Sequence, residues 1–276
     1  MDKYSVLMSL YIKEKPDYLK QSIDSMLQQT IMPDEIIIVK DGPLTDELDK
    51  VLFEYQTKFP NLFRIVASEK NIGLGQALNL GLKNCSNELV ARMDTDDISL
   101  PLRCEKQLEM FKRNPELSIV GTWIDEFYDD PDEIIATRIV PITHDEIYKF
   151  AKRRSAFNHP SVMYRKSKVL ECGGYSDLRR NQDVDLFGRM LFAGCKAGNI
   201  EESLLLFRSN KNLLKRRRSW ENTVSYISTI RRLWKLGYSS LGDYVIVAIC
   251  QIFIFLCPLK IQSWLYKIFL RKSNNL

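Results

Sequence analysis

The sequence predicts an α/β fold in which a mostly parallel central sheet is flanked by helices. Strand-like and helix-like segments alternate through about the first hundred residues, which is typical of right-handed βαβ crossovers. The run Glu35–Lys40 is almost continuously apolar, as in a parallel strand that is covered on both faces. A chain of 276 residues, of which 45% are hydrophobic and 27% charged, has the length and composition for a well-filled core.

The alternating elements follow in order from the amino terminus. Four strands are predicted, at residues 4–11, 35–40, 63–67 and 88–93. The first helix opens at Pro16, and its apolar side chains recur on one helical face at Leu19, Ile23, Met26 and Leu27. The second helix repeats this stripe with Leu48, Val51, Leu52, Tyr55 and Phe59. The third helix is entered through the glycine-bearing segment 71–79.

The pattern changes after the fourth strand. A helix is predicted to begin at Ser99 and Pro101 and to end at Asn114, which precedes Pro115. Strand-rich segments come next, at residues 119–127 and 136–140, and residues 158–164 return a strand towards the core. Residues 183–191 are predicted to form a helix that begins with acids.

The amino terminus and the cysteines indicate the cellular compartment. The chain leads straight into a strand-like run, without the basic and apolar regions of a signal peptide. Six cysteines are scattered without a Cys-x-x-Cys motif, which favours small buried side chains in a reducing compartment. We therefore expect a cytoplasmic protein.

The carboxyl-terminal part differs from the rest, so we divide the chain into a domain at residues 1–210 and a basic, apolar helical segment at residues 211–276. Residues 244–257 are fourteen residues without a charge, fewer than the about 20 that a membrane span needs. The aromatic and basic residues that follow suit a helix lying in the head-group layer, peripheral on the inner face of the cytoplasmic membrane. A buried terminal helix and a dimer contact are the alternatives.

The net charge of +5 is modest, but many of the cations lie in this carboxyl-terminal part. Such a distribution favours anionic partners, whether lipid head groups, phosphates or nucleic acid. Nucleic-acid binding rests only on four consecutive cations at residues 215–218, without interleaved aromatic residues or a binding motif. We expect no nucleic-acid partner.

Three carboxylates stand at the end of the fourth strand. Asp94, Asp96 and Asp97 follow a run whose middle is apolar, and ligands of open α/β sheets bind at the carboxyl ends of the strands. A cation would relieve the repulsion among these acids. Carboxylates suit Mn²⁺ or Mg²⁺, with substrate phosphates completing the coordination. A solvated acidic turn is the alternative interpretation.

Five motifs occur in order along this α/β pattern. They are Leu10-Tyr11, Asp41-Gly42, Asn71-Ile72-Gly73 followed by Ala77 and Asn79, Asp94-Thr95-Asp96-Asp97, and Gln182-Asp183. With these motifs, residues 4–208 resemble glycosyltransferase family 2, the inverting sugar-nucleotide transferases of GT-A type. The chain is most similar to the bacterial members that assemble O-antigen, capsule or other surface polysaccharides.

The resemblance implies a nucleotide-sugar site. In that site Leu10 and Tyr11 would line the base pocket, and Asp41 would accept a hydrogen bond from a uracil ring. The other residues that the resemblance assigns to the site are Asn71, Gly73, Ala77, Asp94 and Thr95. Ser9, Ile12 and Lys40 depart from the family pattern, which has Pro, Asn and often Asp there, and these departures leave the donor base open.

The resemblance also implies a metal and a base. Asp96 would ligate a Mn²⁺ or Mg²⁺ ion that bridges the donor diphosphate, and Asp183 would be the catalytic base. Asp183 could instead only cap its helix, and Asp185 is the rival base. His159 is either a turn residue before Pro160 or a further metal ligand.

The expected reaction follows from this chemistry. Positive charge builds at the anomeric carbon, as in glycoside hydrolysis, and a cation stabilises the leaving diphosphate. Inversion then needs one carboxylate that takes the proton of the acceptor. We expect a metal-dependent enzyme that moves a hexose from a UDP-sugar to a lipid-diphosphate-linked saccharide. A dTDP-sugar donor, or a nucleotide-sugar-binding scaffold without transfer activity, is the alternative.

Overall fold

The structure is a computed structural model that describes residues 3–209 and 219–257. The described residues form one nine-stranded sheet with helices on both faces. The strands are β1 (Tyr4–Leu10), β2 (Glu35–Lys40), β3 (Phe63–Ala67), β4 (Leu89–Met93), β5 (Ile98–Ser99), β6 (Leu117–Phe127), β7 (Ala136–Arg138), β8 (Met163–Arg165) and β9 (Lys196–Arg208). The helices are α1 (Pro16–Leu27), α2 (Asp46–Lys58), α3 (Leu74–Asn84), α4 (Arg103–Arg113), α5 (His144–Phe150), α6 (Lys166–Glu171), α7 (Gln182–Phe192), α8 (Trp220–Leu236) and α9 (Leu241–Leu256).

The sheet has a parallel half and a mixed half. Its strand order is β3-β2-β1-β4-β8-β6-β9-β5, with β7 beside β6. Strands β3, β2, β1 and β4 are parallel, β8 is antiparallel to both β4 and β6, and β6 is parallel to β9. Because Met8 pairs with both Ile38 and Met93, strands β1, β2 and β4 end at the same edge of the sheet.

Alternate residues of the central strands pack on opposite faces, as the pleat requires. Leu7 and Val90 join one buried cluster together with side chains of α3 and α7. Val6 and Met8 join a second cluster together with side chains of α1, α2 and α4. Both faces of the sheet are therefore covered, and the predicted α/β fold is confirmed.

The parallel half matches the sequence prediction closely, and the mixed half differs from it. The helix expected from Ser99 begins at Arg103, because Ile98 and Ser99 form a short strand that pairs with β9. The strand expected within residues 158–164 is limited to β8, since His159–Ser161 forms a 3-10 turn before it. Helices α5 and α6 and strand β9 are absent from the sequence prediction.

Helices α8 and α9 pack as a pair against the rest of the described chain. The rings of Trp234 and Tyr244 stack between them, with centroids 5.4 Å apart. Leu233 fills the space beside Gly188 of α7, where an added Cβ would lie 2.7 Å from it. No helix in the described ranges is long and apolar enough to cross a membrane. The predicted basic run at 215–218 and the basic, aromatic segment after residue 257 lie outside the described residues, and the division at residue 210 stays a prediction.

Candidate active site

The three acids lie where strand β4 ends, at the edge of the sheet predicted for ligands. The loop that carries them is held from the helix side: the Ser22 hydroxyl donates to the Asp94 carbonyl oxygen (2.7 Å), and the Thr95 hydroxyl donates to the Glu14 carboxylate (2.8 Å). Carboxylate oxygens of Asp94, Asp96 and Asp97 lie within 4.8 Å of one another. The predicted cluster therefore exists as a compact group.

Burial and mutual repulsion make this group unfavourable without a counter-ion. Burial, followed by the charges of Asp94 and Glu14, raises the pKa of Asp96 to about 7. Asp97 is fully buried, and burial together with Asp96 and Asp94 raises its pKa well above the usual value. One Asp97 oxygen accepts from the Arg208 backbone N–H (2.9 Å), and the other has no hydrogen-bond partner among the described residues.

Arg92 is the counter-charge that the sequence analysis missed. Its side chain is buried on strand β4, and its guanidinium pairs with the Asp94 carboxylate. Two of its nitrogen atoms have no hydrogen-bond partner in the described chain. An arginine within an otherwise apolar strand is a visible signal, since a buried charge is retained only where it is paired.

This donor set fits a hard divalent cation. Carboxylate oxygens are the ligands that Mg²⁺ and Mn²⁺ prefer, and an unpartnered buried oxygen of Asp97 lies among them. Three acids with one buried arginine carry a surplus of negative charge that such an ion would offset. Asp96 is the member of the three that also lines a neighbouring cavity.

His159 is not a member of the compact group of three acids. Its Nε2 atom is 2.9 Å from the Tyr175 hydroxyl, and its ring packs edge-on against Phe187. Burial and then the charge of Arg92 hold the pKa of His159 well below its ordinary value, so the ring is neutral. The structure thus gives His159 a hydrogen-bond partner other than the acids, and its role as a metal ligand stays a prediction.

Asp41 organises the loop expected beside the nucleotide. Its carboxylate accepts from the backbone N–H groups of Ile72 (2.6 Å) and Gly73 (3.1 Å) and from the Asn71 side chain (3.0 Å). Gly42 has a φ of +89°, and an added Cβ would lie 2.8 Å from the Asn71 nitrogen. Glycine at this position therefore lets the end of β2 approach the loop closely.

The remaining predicted nucleotide residues divide into two groups. Tyr11 is 42% exposed at the end of β1. The side chains of Leu10 and Ala77 are fully buried, Leu10 in the second core cluster and Ala77 in the first. Both side chains therefore lie in the core below the ends of their elements, and the roles expected for Leu10 and Ala77 in the nucleotide site stay predictions.

The two acids at the start of α7 have different surroundings. Asp185 is 1% exposed and forms ion pairs with Arg189 (2.9 Å) and Arg232 (3.2 Å), and it accepts from the Ser176 hydroxyl (2.5 Å). Among the described residues no cationic side chain pairs with Asp183. Burial raises the pKa of Asp183, while hydrogen bonds from backbone N–H groups and the charge of Arg92 oppose that rise.

A cavity of about 360 Å³ opens beside Asp96. Lys15, Tyr18 and Arg208 line it. The Arg208 Nε atom donates to the Asp96 carbonyl oxygen (2.9 Å), so the end of β9 is tied to the acidic loop. The sequence analysis did not identify Lys15 or Arg208, because β9 was not predicted and Lys15 lies in a loop.

The chain is similar in sequence to known glycosyltransferases. The model of the family described as "Glycosyl transferase family 2" matches residues 5–174. The chain is 35% identical over 270 residues to an Escherichia coli protein named UDP-Gal:alpha-D-GlcNAc-diphosphoundecaprenol beta-1,3-galactosyltransferase, and the match covers 98% of this chain and 97% of that protein. It is also 35% identical over 264 residues to the amylovoran biosynthesis glycosyltransferase AmsE of Erwinia amylovora, with coverage of 96% and 98%.

Among solved structures, the chain resembles the mannosyltransferase PcManGT from Pyrobaculum calidifontis in complex with GDP-Man and Mn²⁺. The TM-score is 0.63 at 14% sequence identity, over 96% of this chain and 79% of that one. At this identity the likeness concerns the fold alone, which is that of a GT-A glycosyltransferase.

Proposed function

This chain belongs to glycosyltransferase family 2, and we propose that it moves a hexose from a UDP-sugar to a saccharide carried on a lipid diphosphate, with inversion at the anomeric carbon. The product would be an intermediate of a bacterial surface polysaccharide. The names of the Escherichia coli and Erwinia amylovora relatives, each matched over nearly its whole length, support this substrate class. Galactose and glucose are the hexoses we favour for the donor.

The environment of Asp183 is the observation that carries the proposed reaction. An acceptor hydroxyl needs a carboxylate that is not consumed by an ion pair, and Asp185 is excluded because two arginines and a serine hydroxyl hold it. Burial raises the pKa of Asp183, and a base whose pKa is closer to the working pH accepts a proton more effectively. Asp183 would therefore take the acceptor proton.

Asp94, Asp96 and Asp97 would hold the Mn²⁺ or Mg²⁺ ion, with Asp96 as the residue that also faces the cavity. When bound, the ion would stabilise the negative charge of the leaving diphosphate. Arg92 would fix the Asp94 carboxylate through their ion pair. Asp41 would keep the loop at residues 71–73 in place for the nucleotide through its three hydrogen bonds.

We further propose that the protein attaches to the inner face of the cytoplasmic membrane through α9. This helix has no charged residue after Asp243. Its exposed side chains include Ile249 (62%), Phe253 (58%) and Leu256 (69%). Such a face is typical of a helix lying in the membrane interface. This placement would bring the enzyme to a lipid-linked acceptor.

A transfer assay with purified protein tests the main proposal. UDP-galactose or UDP-glucose, Mn²⁺ and a short-chain GlcNAc-diphosphate-lipid are mixed, and the product is identified by mass spectrometry. We expect a product one hexose heavier than the acceptor, with a β linkage from an α-configured donor by NMR. An α linkage would overturn the inverting mechanism. Donor binding without any transfer or hydrolysis across UDP- and dTDP-sugars would favour the scaffold alternative.

A further inference from the structure

The cavity beside Asp96 contains two cations whose charges no described carboxylate neutralises. Arg208 is held by uncharged groups: its Nε donates to the Asp96 carbonyl oxygen and its Nη2 to the Gln21 side-chain oxygen (2.5 Å). Its guanidinium also lies between the rings of Tyr18 and Phe127, 3.9 and 4.6 Å from their centroids. These contacts fix the guanidinium in position without offsetting its charge.

Lys15 is the second cation. Its ammonium donates to the Tyr18 hydroxyl (3.2 Å) and lies 4.7 Å from the centre of the same ring. In the described part of the chain, no carboxylate lies within ion-pair distance of the Lys15 ammonium. Tyr18 therefore contacts both cations, and all three line the cavity that Asp96 enters.

The charges of this cavity favour an anion. Asp96 and Asp129 are its acids, and a divalent ion held by Asp96 and its neighbours would leave the wall with surplus positive charge. A guanidinium and an ammonium are the cationic side chains that bind phosphate oxygens. The volume of about 360 Å³ is at the lower end of small-molecule pockets, which span about 300–1,000 Å³.

We infer that Lys15 and Arg208 form a diphosphate-binding pair beside Asp96. This inference rests on the proposed function, which brings two diphosphates to the site, one in the donor nucleotide and one in the lipid-linked acceptor. Both sources present the same chemistry to the pair. Lys15 is exposed, so its substitution can test the inference without disturbing the core.

The test compares Lys15→Gln with the wild type in two measurements. Calorimetry in Mn²⁺ gives the Kd for UDP and for UMP, and steady-state kinetics give the KM for a short-chain GlcNAc-diphosphate-lipid. If the pair holds the donor, UDP binding weakens about tenfold, UMP binding weakens less, and Lys15→Arg restores most of the affinity. If the pair holds the acceptor, the acceptor KM rises by a similar factor and the Kd for UDP is unchanged.

Lys13→Gln is the matched control, because Lys13 is an exposed lysine in the same loop that does not line the cavity. If Lys13→Gln and Lys15→Gln had equal effects, the change would be due to the net surface charge and not to a contact of Lys15, and the inference would be overturned. Wild-type values of both constants in Lys15→Gln would overturn it as well. Failure of the proposed function itself gives a different result: the wild type would then neither bind UDP nor transfer a hexose.

Discussion

At the scale of single residues, ion pairs distinguish the carboxylates that are available to accept a proton from those that are not. Asp183 and Asp185 are two positions apart on α7, and neighbouring helical positions point in different directions. Arg189 and Arg232 form ion pairs with Asp185, whereas no cation of residues 3–209 and 219–257 pairs with Asp183. Asp97 and Asp96 also differ in their surroundings. Asp97 is buried and accepts a hydrogen bond from the backbone of β9, whereas Asp96 borders a cavity.

We predict that Asp183→Asn loses transfer activity but still binds the donor nucleotide. Asn keeps the shape of the side chain and can still bond to backbone groups, but it cannot accept the acceptor proton. A positioned base contributes about 10²–10⁴-fold in rate, so kcat should fall by at least the lower end of that range. Kinetics with a short-chain acceptor measure kcat, and calorimetry measures the Kd for UDP, which should stay near the wild-type value.

Asp185→Asn is the comparison for that variant. It removes a carboxylate that two arginines share, so we expect a free energy of unfolding lower by about 1–3 kcal/mol. The rate per folded molecule should change less than in Asp183→Asn. Loss of transfer in Asp185→Asn with normal transfer in Asp183→Asn would exchange the two roles.

The second prediction concerns the metal. Asp96→Asn should abolish Mn²⁺-dependent transfer, because it replaces the carboxylate that borders the cavity and that we propose as a metal ligand. The wild type should lose activity in excess EDTA and recover it when Mn²⁺ or Mg²⁺ is added. Mn²⁺ binding to the wild type and the variant can be compared by electron paramagnetic resonance. Full wild-type activity in excess chelator would contradict the metal assignment.

The acids of the candidate site could be predicted from the sequence, but the arginines that contact these acids and their loops could not. Asp94, Asp96, Asp97 and Asp41 lie at strand ends, where topology alone brings them to one edge. Arg208 reaches the acidic loop from a strand far along the chain, and local pattern carries no information about such a contact. The environment of Asp185 also depends on Arg232, which lies on a helix distant in sequence.

At the scale of elements, hydrogen bonds and an ion pair of Asp243 stabilise the start of α9. The Ser240 hydroxyl accepts from the Asp243 backbone N–H (3.0 Å), the Asp243 carboxylate accepts from the Ser240 backbone N–H (2.9 Å), and Arg153 pairs with the same carboxylate. Burial opposes ionisation of Asp243, but these hydrogen bonds outweigh it and lower its pKa. The capping box closes the first turn of α9, and the ion pair with Arg153 fastens α9 to the segment that follows α5.

We predict that Asp243→Asn lowers the free energy of unfolding at neutral pH by about 1 kcal/mol, because it removes the carboxylate charge that pairs with Arg153 and accepts from Ser240. Because the folded-state pKa is depressed, the contribution is present above the unfolded pKa of about 3.9 and is lost as the pH falls through the lower folded value. Denaturant unfolding should therefore show a constant gap between wild type and variant from pH 8 to about 5, and a shrinking gap below about pH 4. A gap that widened on acidification would contradict this assignment.

The exposed face of α9 gives the next prediction. Ile249→Asp combined with Phe253→Asp should reduce binding to vesicles that contain anionic lipid, because it places charges on the apolar face. Cosedimentation measures the bound fraction. Phe53→Asp is the control, since Phe53 is 69% exposed on α2 and should not affect binding. Equal vesicle binding by the wild type and the double variant would exclude α9 as the attachment face.

The elements that the sequence analysis missed were missed for different reasons. Strand β9 contains Asn199, Glu201 and Glu202 in its middle, and these polar residues separate its apolar run at 204–207 from the first half of the strand. Its pairing with β6 has irregular register, which breaks the alternation expected of a strand. Helix α5 is only seven residues long, yet its capping box of Thr143 and Glu146 was a visible signal.

At the scale of the whole molecule, residues 219–257 are packed into the same core as the sheet. Ile230 and Leu233 are buried in the cluster that also contains strands β1 and β4. The Tyr238 hydroxyl donates to the Tyr148 carbonyl oxygen of α5 (2.7 Å). The two segments divided at residue 210 therefore share a buried interface.

This interface predicts the effect of truncation. A chain that ends at residue 218 should be less stable by about 3–6 kcal/mol, because Ile230 and Leu233 alone contribute about 1.5–3 kcal/mol each through burial. Thermal unfolding followed by circular dichroism should show one cooperative transition for the full chain and a lower Tm for the truncated one. Two separate transitions in the full chain would show that the segments fold independently.

The contact of Arg208 with the acidic loop has a consequence for folding kinetics. Its backbone N–H reaches Asp97 across 111 positions of sequence, and contacts of such separation form slowly because long loops must close first. The parallel half from β1 to β4 can assemble from short crossovers, but its acids gain their final positions only when β9 arrives. In refolding experiments, we expect Mn²⁺ binding to recover after most of the helical signal, as one of the last properties of the native chain to return.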